Sequence, residues 1–136
     1  MAKVIIYQNP NGTNVCVCYP TEENDVNTVL TKDCPNGASI VDDSSLPQST
    51  DAQFFNAWEL NGKTVAVNFA TAQAQYLTQY NEAVLKIVQA RQLNILAGID
   101  NTTNDSTWLA NINNDRKAIV LATNTEQLLA IKLFTP

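Results

Sequence analysis

From Ala70 to Ile99 the chain contains no proline, and its one glycine there, Gly98, stands at the far end. Within that stretch Leu77, Tyr80, Val84, Ile87 or Val88, Arg91, Ile95 and Ile99 recur at intervals of three or four. Such spacing gathers side chains on one face of an α-helix, which closes a turn every 3.6 residues. At a rise of 1.5 Å per residue, a helix over 70–99 is about 45 Å long. The whole chain has 136 residues, the size of one ordinary domain. A rod of that length is expected to project in part, or to pack on another subunit.

Upstream the period is different. Residues 3–8 (KVIIYQ) are β-branched and aromatic and read as a strand, Asn9-Pro10-Asn11-Gly12 as a turn, and 14–19 (NVCVCY) as the return strand of a hairpin. Pro20 ends it. Thr21 to Asp25 offers caps for a short helix with Val26, Val29 and Leu30 on its buried face. Pro35-Asn36-Gly37 closes that segment by a turn. Residues 38–41 read as a third strand and 42–50 as a loop.

Phe54, Phe55 and Trp58 crowd the next stretch. Asp51 is expected to cap one or two helical turns over 51–57. Trp58-Glu59-Leu60 then forms a short strand, Asn61-Gly62 a type I′ turn, and 63–69 the return, with Val65, Val67 and Phe69 on the buried side. Phe54 or Phe55, with Trp58, fills the space beside this hairpin, since each aromatic ring buries about 150–250 Å². The other reading leaves one of the three rings exposed for a partner.

Beyond the long helix, Asp100 to Asp105 is a polar break. Ser106 or Asp105 caps a second helix carrying Trp108, Leu109, Ile112, Ile119, Val120 and Leu121. Thr125-Glu126-Gln127 starts a last short helix. The expected fold class is therefore α+β. A small antiparallel β module with short helices occupies residues 1–69, and an all-helical half with one long helix occupies residues 70–136.

The chemistry available is narrow. The sequence has no histidine, so Ser/His, Cys/His and most zinc mechanisms lose their usual base or ligand. Glu22-Glu23 and Asp42-Asp43 are adjacent carboxylates, which point apart on a strand and are solvated in a loop. No phosphate-binding or dinucleotide glycine motif is present among four glycines. These features predict no catalytic, cofactor-binding or metal-binding residues. Cys16, Cys18 and Cys34 are an odd number of thiols. Cys16 and Cys18 lie about 7 Å apart on one strand face, awkward for a mutual disulfide. They read as small apolar side chains, with a Cys34 bridge to one of them, or a bridge to a neighbouring subunit, as the alternatives.

Charge excludes another class. Residues 1–62 carry two basic and eight acidic side chains, a net of −6, whereas 63–136 carry six basic and five acidic, a net of +1. An acidic first half repels phosphate backbones, so no nucleic-acid partner is expected. No apolar run approaches the length of a membrane span, so no membrane partner is expected either.

Residues 28–60 also carry a recognisable pattern. Lys32, Asp33, Pro35 and Gly37 precede Val41-Asp42-Asp43; Leu46-Pro47 follows, then Phe55, Ala57, Trp58 and Glu59. With the opening strand Val4-Ile5-Ile6-Tyr7, this resembles small bacteriophage proteins of the tail-fibre assembly and tail accessory kind. The resemblance implies that Pro35, Gly37, Phe55 and Trp58 are fold determinants of the first module. It also implies a non-enzymatic protein, located in the virion or in the host cytoplasm during assembly, whose partner is a tail fibre or another virion component. A capsid-decorating or baseplate protein is the alternative. The helical half then supplies the contact surface, through Leu77, Tyr80, Val84, Val88 and Ile95, for a partner or for a homo-oligomer.

Overall fold

A computed structural model describes residues 2–12, 14–21 and 25–136. The Glu22-Glu23 pair thus lies outside the described residues. The fold is α+β, with small antiparallel sheets first and helices after. The chain divides into two compact units, Met1–Asn68 and Phe69–Pro136. The division falls one residue upstream of the expected boundary, because Phe69 opens the long helix and does not close the preceding strand.

In the first unit, β1 (Lys3–Gln8) is the central strand between β2 (Val15–Cys18) and β3 (Ser39–Asp42), both antiparallel to it. Side chains alternate between the two faces of a strand. The register pairs Val4 with Val41 and Ile6 with Val17, which sets these residues and Val15 on one face. That face forms the core, where Val4, Ile6 and Val15 pack with Leu46, Trp58 and Val65. Ile5 lies on the opposite face and is also fully buried. There α1 (Val26–Asp33) packs against β1 and β3 and offers Val26, Val29 and Leu30, all half-buried.

Two short 3₁₀ helices, Asp43–Ser45 and Ser49–Ala57, lead to the hairpin of β4 (Trp58–Asn61) and β5 (Thr64–Val67). The expected turn is corrected here. Asn61 pairs with Thr64, so the two loop residues are Gly62 and Lys63. Gly62 has φ +64°, and Lys63 has no positive φ. A left-handed residue at the first loop position alone is the signature of a type II′ turn, the other hairpin type that matches strand twist. Asp51 is likewise not a cap. Gln48 precedes the helix, and Asp51 lies inside it, where its carbonyl accepts a 3.0 Å bond from Trp58 Nε1.

That bond anchors the buried Trp58. Of the two phenylalanines before it, Phe54 is the buried one, and Phe55 is 39% exposed. The backbone kinks at Phe54 (φ −101°, ψ 44°), which separates its direction from that of its neighbour. Phe55 instead lays its ring on Trp58 from outside, with centroids 4.8 Å apart. Pro35 and Gly37 are exposed and belong to the turn between α1 and β3, where Ala38 N donates to the Pro35 carbonyl. They shape the chain path and add nothing to the core.

The second unit contains α2 (Phe69–Leu96), α3 (Asp105–Leu121) and α4 (Thr125–Ala130). The 28 residues of α2 extend about 42 Å at 1.5 Å each. It ends at Gly98, whose φ of +75° is strained for any residue with a Cβ. Gly98 N donates to the Ile95 carbonyl and Ile99 N to that of Asn94, the paired bonds of a Schellman cap. On α3, Trp108, Ile112, Asp115 and Ile119 recur every three or four residues and are all withdrawn from solvent, Ile119 completely. Gln73 Nε2 on α2 reaches the final carbonyls of α3, at 2.8 Å to Ile119 and 3.0 Å to Val120. The Asn124 side chain accepts from Gln127 N at 2.8 Å and caps α4.

Candidate partner-binding site

The five side chains expected to form a contact surface lie on α2, but they do not share one environment. Tyr80 is fully buried. Its hydroxyl donates to Asp115 on α3, so it belongs to the helical core and is not available to a partner. Leu77, Val84, Val88 and Ile95 are half-buried, and α3 and α4 pack on α2. The predicted apolar stripe is thus largely the inner face of the helical unit. Of the five, Val88 and Ile95 line a cleft of about 220 Å³ with Arg91, Asp105, Trp108 and Ile112.

Arg91 governs the chemistry of that cleft. It occupies a core position of α2 and is only 7% exposed. Its guanidinium bonds Asp105 Oδ1 at 2.7 Å and the Asn101 carbonyl at 2.8 Å through Nη2. It stacks over the Trp108 ring at 4.1 Å from the centroid. The Trp108 ring in turn meets Phe134 edge-on at 5.3 Å. Nε is buried without a partner. A buried cation needs a counter-charge and full hydrogen bonding. Asp105 supplies the charge from the first turn of α3, where a carboxylate also suits the helix dipole. Asp105 therefore locks the two helices and is not the cap of α3; Asn104 holds that position.

The exposed apolar surface lies elsewhere on the same unit. Leu85, Leu93 (67% exposed) and Leu96 (87% exposed) occupy positions i, i+8 and i+11 of α2. At 100° per residue these fall within about a quarter turn of one another. Leu85 and Leu96 point nearly opposite to Tyr76, which is buried nine residues before Leu85, and Leu93 lies about a quarter turn from Leu85. Ile99 follows beyond the cap, and Leu109, Val120 and Leu121 are exposed on α3. The contact surface expected from sequence was a single apolar stripe on α2, and this second face was not part of it. The signal was present in the spacing of Leu85, Leu93 and Leu96, interrupted by Gln89 and Gln92.

Burial shifts two phenols in this unit. Tyr80 is pushed well above the usual tyrosine range, first by desolvation and then by its bond to the Asp115 carboxylate. Tyr76, whose hydroxyl donates to the Ile131 carbonyl, is raised by burial and by the same carboxylate. Both stay protonated as hydrogen-bond donors and have the character of structural clamps.

Among the described residues, no group of three or more His, Cys, Asp or Glu side chains could hold a metal ion. No helix there is long and apolar enough to cross a membrane. Set against family models, curated proteins and solved structures, the chain matches none.

Proposed function

We propose that the chain is a non-enzymatic bacteriophage structural or assembly protein, which binds a tail fibre or another virion component through its helical unit. The observation that carries the binding role is the leucine face of α2. Leu85, Leu93 and Leu96 stand in solvent opposite a face that is already packed. Apolar side chains aligned on one exposed helix face favour a partner that removes them from water, at about 25 cal/mol per Å². The phage context comes from the pattern over residues 28–60, and the absence of histidine supports a role without catalysis. A homo-oligomer through the same face is part of this reading.

Two measurements test it. The chain is co-expressed with the tail-fibre protein of the phage that encodes it and followed by size-exclusion chromatography with light scattering, and purified particles are analysed by mass spectrometry. Co-elution with the fibre protein is the expected result, lost in a Leu93→Glu/Leu96→Glu variant that keeps its helical circular dichroism. Absence of the protein from mature particles then marks an assembly factor, and presence in tails marks a permanent component. Presence on isolated heads with no fibre binding would replace the tail reading with capsid decoration. Wild-type protein that neither binds the fibre nor occurs in particles would sink the proposal.

A further inference from the structure

The register of the first sheet sets Tyr7 opposite Cys16 and Ile5 opposite Cys18, so Tyr7 and both thiols project from the face away from the valine core. α1 packs against this sheet, and Cys34 is the residue that flanks its C-terminal end. The Cys18 thiol is a close neighbour of the Cys34 thiol. Tyr7 has all three cysteines as neighbours. All three are free and half-buried. A strand and a helix end, distant in sequence, thus hold two thiols together where a small reagent can enter.

We infer that Cys18 and Cys34 are a redox-switchable pair, joined by exchange with a low-molecular-weight disulfide into a bridge between the edge strand β2 and the end of α1. The choice of pair follows from geometry. Cys16 and Cys18 are separated by about 7 Å along their strand, beyond the roughly 3.5–4.5 Å between Cβ atoms that a disulfide tolerates. Cys16 stands beside Tyr7 instead.

The exchange balances in two steps. A thiolate of the pair attacks the reagent, the reagent's S–S bond breaks, and a mixed disulfide forms as one small thiolate leaves. The second cysteine, deprotonated, attacks the mixed disulfide at the protein sulfur. The Cys18–Cys34 bond forms and the second small thiolate leaves. The protein gives up two electrons and two protons; the reagent takes both electrons, and the protons end on the two released thiols. The bridge ties residue 18 to residue 34 and restricts the unfolded chain, so the oxidised form melts at the higher temperature.

The test uses the folded full chain with oxidised glutathione. Intact mass, thiol titration and peptide mapping are read, together with the melting temperature. The expected product is a monomer lighter by two hydrogens, with one titratable thiol left, a mapped Cys18–Cys34 link and a melting temperature raised by several degrees. Dithiothreitol should reverse all four changes. Cys16→Ser should oxidise like the wild type; Cys34→Ser, checked as folded by circular dichroism, should form no intramolecular bridge. Three persistent free thiols, a Cys16–Cys18 link, a bridge between chains, or normal intramolecular oxidation of Cys34→Ser would each overturn the inference.

Discussion

The Tyr80 hydroxyl donates to Asp115 Oδ2 at 2.6 Å and ties the middle of α2 to α3 across 35 residues of sequence. Tyr80 is fully buried and Asp115 is half-buried, so water replaces this bond poorly. Tyr80→Phe keeps the ring and leaves the carboxylate short of a donor. A hydrogen bond to a charged group is worth about 1.5–3 kcal/mol. The variant should lose roughly that much in urea unfolding followed by far-ultraviolet circular dichroism.

The same contact sets a response to alkali. Tyr76 and Tyr80 both have folded pKa values raised above that of the unfolded chain. Their contribution to stability is complete below about pH 10, where the unfolded phenols begin to ionise, and is lost as pH rises towards the folded values. Melting temperature should therefore drop with each step above pH 10. The slope from each such tyrosine is at most about 1.4 kcal/mol per pH unit. Tyr80→Phe should flatten the drop in melts taken from about pH 9 to about pH 11.5, either side of the ordinary tyrosine value of about 10.

In the first unit, Trp58→Ala and Phe55→Ala should part company. Trp58 is buried in the core and hydrogen-bonded to the Asp51 carbonyl. Its truncation should cost about 3–5 kcal/mol. Phe55 only covers Trp58 from the solvent side, so Phe55→Ala should cost about 0.5–1.5 kcal/mol. Chemical denaturation of both variants compares the two; equal losses would contradict the environments described for the rings.

That contrast marks where sequence was informative. The hairpin of β1 and β2 was legible because β-branched runs flank Asn9-Pro10-Asn11-Gly12, and α2 because apolar residues recur without proline. Phe54 and Phe55 could not be ranked, since the decision lies in a backbone kink at Phe54 that no periodicity announces. Asn61-Gly62 suggested the more frequent hairpin turn, but strand register moved the loop one residue along. Tyr80 was correctly placed on the apolar stripe, yet spacing alone does not say whether a stripe meets its own chain or another. Arg91 sat on that stripe too. A charge there becomes legible as a core residue only once Asp105 and Trp108 are brought beside it by the return of α3.

Arg91 offers a direct check on that arrangement. Arg91→Lys keeps the charge but loses the planar fork that reaches Asp105 and Asn101 while stacking on Trp108. Both Arg91→Lys and Arg91→Ala should destabilise the helical unit, by about 1–3 kcal/mol for the loss of charged hydrogen bonds. Lysine should restore only part of the loss. Thermal melts of the two variants give the order; full rescue by lysine would show that charge alone matters at this position.

The chain's two tryptophans are divided between its units, Trp58 in the first and Trp108 in the second. Each stands in its own electronic setting, one in an aliphatic core and bonded to a carbonyl, the other beneath a guanidinium. The molecule thus carries a separate intrinsic fluorophore for each half. With either indole replaced by phenylalanine, emission from the other follows its own unit alone, so the coupling between the two halves during unfolding becomes visible without any attached dye.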